Sequence, residues 1–123
     1  MNYDIAMKWA KELESGRYTQ GMYYLKQMMH DDRPRLCCLG VLCEMGADAG
    51  VEVEIEALSK TWIYDEQAQC LPLSIREWSG VSSETGVFKD ENLNDYSSLS
   101  TLNDTGSKFS DIAKIIREKW KSL

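Results

Sequence analysis

The chain has 123 residues, which suits one domain spanning 1–123 and leaves no room for two. Its apolar share of 43% is that of a globular protein, so wholesale disorder is excluded. A net charge of −6 with a pI near 4.8 opposes binding to a nucleic-acid polymer, and no run is long and apolar enough to cross a bilayer.

Residues 4–15 have the pattern of an amphipathic helix. Ile5, Trp9 and Leu13 recur four apart beside Ala6 and Ala10, and Asp4 suits the positive end of the helix dipole. Gly16 is a natural stop. The N-terminal residues mix Asp4, Lys8 and Lys11 among apolar ones, which is not the pattern of a secretory signal. A polar and aromatic link, Arg17 to Gly21, follows between two glycines, where the backbone can turn sharply or approach another group closely. Met22–Met29 fits strand and helix equally. His30–Arg35 has the composition of a charged loop, with Pro34 disfavouring helix at Arg33.

Leu36–Met45 is the most apolar window, and its spacing predicts a strand end entering a buried helix over about Cys38–Ala49. Gly40 inside that helix costs about 1 kcal/mol against Ala, which implies close packing on another element. Val51–Ile55 alternates strictly, the pattern of a half-buried strand, and Thr61–Tyr64 is a second β-type run able to pair with it. Leu71–Trp78 reads as a short helix with Pro72 in its first turn and Gly80 at its stop. Ser82–Ser98 is polar and weakly patterned, the composition of a mobile loop with a strand fragment at Val87–Phe88. Leu99–Asp104 has room for one helical turn. The last helix is the plainest: Phe109, Ile112, Ala113, Ile116 and Trp120 form one apolar face over roughly Ser107–Lys121, with Ser107 as N-cap. The expected architecture is a small α+β domain, with N- and C-terminal amphipathic helices and a buried central helix packed with a short β-sheet.

No catalytic, cofactor or metal motif stands out. Cys37, Cys38, Cys43 and Cys70 contain no C-x-x-C pair and His30 is the only histidine, so zinc lacks ligands. With no secretory signal, reduced cysteines buried as small hydrophobes are expected. Asn103-Asp104-Thr105-Gly106 allows two readings: the mouth of a site whose following helix offers free N–H groups to an anion, or an Asx turn that caps that helix. Tyr18 and Gln20 could stack on a ring and read its edge, or pack a corner. Arg33 and Arg35 could clamp a phosphate, or form a solvated loop. Trp78, placed just before Gly80, is the tryptophan with the least evident packing role.

Four fragments together carry a resemblance. They are Gly16-x-Tyr18-x-Gln20-Gly21, the run Cys37-Cys38-Leu39-Gly40-Val41-Leu42-Cys43-Glu44, Leu71-Pro72 leading to Trp78-x-Gly80, and Leu102-Asn103-Asp104-x-Gly106-x-x-Phe109-x-x-Ile112-Ala113-x-x-Ile116. In combination the chain resembles a group of small uncharacterised proteins of tailed bacteriophages and prophages. The resemblance implies a phage origin and action in the cytoplasm of a bacterial host, and it brings no activity with it. The expected function is binding without a cofactor: an accessory protein that sequesters a nucleotide-like host defence signal at Tyr18, Gln20, Arg33, Arg35, Trp78, Asn103 and Asp104. One alternative is a protein–protein inhibitor of a host enzyme acting through an acidic face of residues 82–98 and 52–56. Another is a small hydrolase or transferase using Cys38 or Asp104. A homo-oligomer is compatible with each.

Overall fold

Asn2 starts the first helix by accepting the Ile5 N–H on its side chain, and α1 (Tyr3–Glu14) then buries Ala6, Trp9, Ala10 and Leu13. A computed structural model describes all 123 residues. After α1 come β1 (Thr19–Gln20), β2 (Lys26–Met28), β3 (Pro34–Leu36), α2 (Cys38–Asp48), β4 (Ile55–Leu58), β5 (Thr61–Tyr64), α3 (Leu73–Ser79), β6 (Val87–Asp90), β7 (Asp95–Ser98), α4 (Leu99–Asp104) and α5 (Phe109–Lys119). The architecture is α+β, with a five-stranded sheet in the order β1-β3-β2-β5-β4 and a separate two-stranded hairpin of β6 and β7. No helix is long and apolar enough to cross a membrane.

The core sits around α2, whose residues from Cys38 to Cys43 are all buried. Trp9 on α1 is fully buried and its indole N–H donates to the Cys38 carbonyl at 3.0 Å, which ties α1 to the start of α2. α5 closes the other side of α1 with Phe109, Ile112 and Ile116, each burial contributing about 1.5–3 kcal/mol. The close packing expected at Gly40 is real: an added Cβ would lie 1.8 Å from the Leu25 carbonyl oxygen.

Several sequence expectations need correction. Val51–Glu54 forms no ladder, and the strand is Ile55–Leu58 instead. The reason is that β5 stops at Tyr64, where Asp65 and Glu66 turn at positive φ, so residues before Ile55 have no neighbour strand. The Asp65 carboxylate accepts the Glu54 N–H at 2.7 Å in its place. Val51 and Val53 still face the core, which explains the alternation. Met22–Met29 is neither all strand nor all helix, since only Lys26–Met28 is regular. The charged segment before Leu36 ends as β3, with Pro34 at its first residue. There the missing N–H is tolerated, because β1 pairs only with Arg35 and Leu36.

Residues 87–98 are a hairpin rather than a loop. Its strands bury little besides Phe88, so their pairing leaves no hydrophobic period to read. The last helix begins one residue later than expected, with Lys108 rather than Ser107 at the N-cap, and its Lys108 N–H donates to the Asp111 carboxylate at 3.2 Å.

Candidate functional site

Gln20 ends β1 and Asn103 lies in the last turn of α4, 83 positions away, yet the Gln20 amide donates to Asn103 Oδ1 at 3.0 Å. Asn103 is fully buried. Its oxygen also accepts the Cys38 N–H at 3.1 Å, and its Nδ2 donates to the Gly21 carbonyl at 2.8 Å and to Asp104 Oδ1 at 3.2 Å. All four of its hydrogen-bonding positions are thus occupied by the chain. Gln20 donates its second amide hydrogen to the Ser107 carbonyl at 2.8 Å and accepts the Phe109 N–H at 2.9 Å.

The logic of this knot is helix capping at a distance. Cys38 and Phe109 are the first residues of α2 and α5, and their N–H groups have no partner within the helix. Neither helix receives a local side-chain cap at these groups. Asn103 therefore caps α2 and Gln20 caps α5, and the two amides bond to each other. The arrangement corrects both readings of Asn103-Asp104. Asn103 belongs to α4 rather than to an Asx turn, and the Phe109 N–H is already taken rather than free for an anion.

Asp104 faces outward from the knot. Its carboxylate accepts the Tyr23 N–H at 2.8 Å. Tyr23 stands at φ 71, a conformation that L side chains with bulk adopt rarely and at a cost of about 1–3 kcal/mol. Tyr23 is 58% exposed, beside the exposed Met22 and Met29. These residues, with Gly21, Gln27 and Arg35, line a cleft of about 370 Å³. Gly21 is needed there for close approach, since an added Cβ would lie 2.9 Å from the Arg35 Cβ. The Arg35 guanidinium holds Asp31 Oδ2 at 3.2 Å, while its Nε is enclosed without a partner. Asp31 is held below the usual carboxylate range, chiefly by the Arg33 N–H and then by Arg35.

The remaining residues singled out from sequence lie apart from this cleft. Tyr18 is half-buried with the Arg17 guanidinium over its ring at 5.2 Å, and burial raises its phenol pKa. Arg33 is exposed, and its backbone N–H donates to Asp31. Trp78 packs on Gly46, where an added Cβ would meet its ring at 3.3 Å. Sequence reasoning missed Met22, Tyr23, Gln27 and Met29. The available signal was the ambiguity of residues 22–29 between strand and helix, which goes with an irregular backbone.

Other hollows are less specific, among them a small one of about 200 Å³ beside the knot, lined by Gln20, Asn103, Gly106 and Ser107. One of about 480 Å³ runs along α1 beside Lys8 and Lys11, and one of about 350 Å³ lies under the hairpin beside Thr85 and Tyr96. None of these combines a strained residue with an unpartnered donor.

Cys37, Cys38 and Cys43 are buried and poor nucleophiles. Burial pushes the Cys37 thiol up to about 11 and the Cys38 and Cys43 thiols well above the ordinary value. Cys38 Sγ donates weakly to the Leu99 carbonyl at 3.6 Å. No three of the His, Cys, Asp and Glu side chains come together as a metal site would need.

No curated protein and no solved structure matches the chain. A family model does match, over residues 1–120: the chain belongs to the family described as Domain of unknown function (DUF8296).

Proposed function

We propose that the chain binds rather than catalyses, and that the cleft of Tyr23 and Arg35 takes a small nucleotide-like ligand. The observation that carries the reading is Tyr23. A bulky residue at positive φ is strained, and here a carboxylate reached from another helix holds it so, with the ring turned to solvent. Such strain persists where the surrounding structure over-determines it, and it clusters at ligand sites. An exposed tyrosine ring suits stacking on a base, and the adaptable thioethers of Met22 and Met29 can close around it. Arg35 supplies the anion contact, because a guanidinium fork matches phosphate oxygens. A cleft of about 370 Å³ lies at the lower end of the range for small-molecule sites. Of the residues singled out from sequence, Arg35 meets the ligand, Asp104 positions Tyr23, and Gln20 and Asn103 hold the frame.

The resemblance to phage proteins supports a more specific role. The chain acts in the cytoplasm of a bacterial host and sequesters a nucleotide-like defence signal, which needs tight binding and no turnover. The depth of Cys38, the thiol a hydrolase would use, supports binding over hydrolysis.

A thermal-shift screen of nucleotides, including cyclic and ADP-ribose types, tests the reading. Ligand at 100 times Kd adds about 2.7 kcal/mol, on the order of 10 °C for a chain this size. The shift should vanish in Tyr23→Ala and Arg35→Ala while Arg33→Ala retains it. If no nucleotide moves the melt, the reading falls.

A second reading is favoured by the hairpin. Leu93 and Tyr96 are 70% and 66% exposed among Asp90, Glu91 and Asp95, a patch suited to a partner protein. Charge reversal at Asp90 and Glu91 would then abolish capture of a host enzyme and leave any nucleotide shift unchanged.

A further inference from the structure

The five-stranded sheet ends in β4, and its outer edge is bare. β4 pairs with β5 alone, and all four of its residues are exposed. The Asp65 N–H donates to the Glu54 carbonyl at 2.8 Å, which sets the phase of the ladder. By antiparallel alternation, Glu56 and Leu58 bond inward to Ile63 and Thr61. Ile55 and Ala57 therefore turn their N–H and C=O groups outward, and no turn, loop or cap bond reaches them. An edge in this state is a template for another strand.

The side chains beside it select what can dock. Glu54 and Glu56 fall on one face, by the alternation of a strand. Ile55, 43% exposed, and Ala57 fall on the other. Lys, Pro and bulges commonly blunt an edge, and Ile55–Leu58 contains no Lys, no Pro and an unbroken register. A second copy is a poor occupant, because each chain carries −6 and edge-to-edge pairing would bring two glutamate faces together.

We infer that the open edge of β4 takes an extended basic segment of a partner polypeptide. The segment adds a strand to the sheet, with alternate Lys or Arg side chains on Glu54 and Glu56 and apolar ones on Ile55 and Ala57. Backbone bonds supply affinity in this mode, and alternate side chains supply specificity. The surface is independent of the Tyr23 cleft, so either can fail without the other.

The test is to titrate the labelled full chain with an end-blocked peptide alternating lysine and valine. The Ile55 and Ala57 amides should shift and exchange more slowly with solvent. Binding should weaken roughly tenfold in the double variant Glu54→Lys with Glu56→Lys, and weaken with added salt. Both positions are exposed, and an unchanged melting temperature would show that the double variant is folded. Unmoved amides at Ile55 and Ala57, or equal affinity for the double variant and for a glutamate–valine peptide, would overturn the inference. So would a peptide-free dimer in sedimentation that the double variant abolishes.

Discussion

The buried knot of Gln20 and Asn103 and the open cleft of Tyr23 and Arg35 lie side by side and share Gln20 and Gly21 at their border, yet they do opposite things. In the knot every Asn103 position is occupied, two helix starts are capped, and the side chain is fully buried. In the cleft a strained aromatic residue is exposed and the half-buried Arg35 guanidinium bonds a single side chain, Asp31. Asp104 joins the two, bonding Asn103 on one side and the Tyr23 backbone on the other. A polar residue at a bend is thus no sign of a binding site by itself. What distinguishes one is hydrogen-bonding capacity left over after the fold has taken its share.

The sharpest way to break this contrast is Asn103→Ala. It leaves the buried Cys38 N–H and Gly21 carbonyl without that partner, and should destabilise the chain by about 4 kcal/mol in denaturant unfolding. A loss under about 1 kcal/mol would show that the knot is not the frame. The thiols beside the knot give the next largest effect. Burial pushes the Cys37 thiol from the ordinary 9.0 up to about 11 in the folded chain. The stability this provides is full below pH 9 and is lost as pH rises toward 11, because only the unfolded chain ionises easily there. The loss from Cys37 should be roughly 2–3 kcal/mol, and Cys37→Ala should make that part of the profile shallower under reducing conditions, while the raised Cys38 and Cys43 thiols keep the rest of its slope.

Asp104→Ala should be milder. It frees the Tyr23 N–H at an exposed position, and a fall of about 1 kcal/mol in stability with a larger loss of ligand affinity is expected. The smallest stability effect has the opposite sign. Tyr23→Gly relieves the positive φ and should raise stability by about 1 kcal/mol while abolishing any nucleotide-induced shift. If Tyr23→Gly destabilises the chain, the residue is packing the fold and the contrast between knot and cleft collapses.

Much of the frame was legible. The stripes of α1 and α5 and the greasy run of α2 have periods that packing did not overrule, because each buries one face or all of itself. Gly40 foretold the close approach of Leu25. The hairpin of β6 and β7 was not legible, since it is held by backbone pairing with little besides Phe88 buried. Nor was the offset of β4, which depends on where β5 ends.

For the candidate site, Gln20, Asn103 and Asp104 could be picked out as polar residues near glycine bends and Arg35 as part of a basic cluster, but their division of labour could not. Whether an amide is free or occupied depends on partners up to 89 positions away, and no local pattern encodes them. Composition and periodicity by themselves determined an α+β chain built on two amphipathic helices and a buried central one, because burial acts on each element through its own repeat. The tertiary structure alone decided which polar groups the fold consumes and that Tyr23 is held under strain, because hydrogen-bond saturation and backbone strain arise only when distant segments meet.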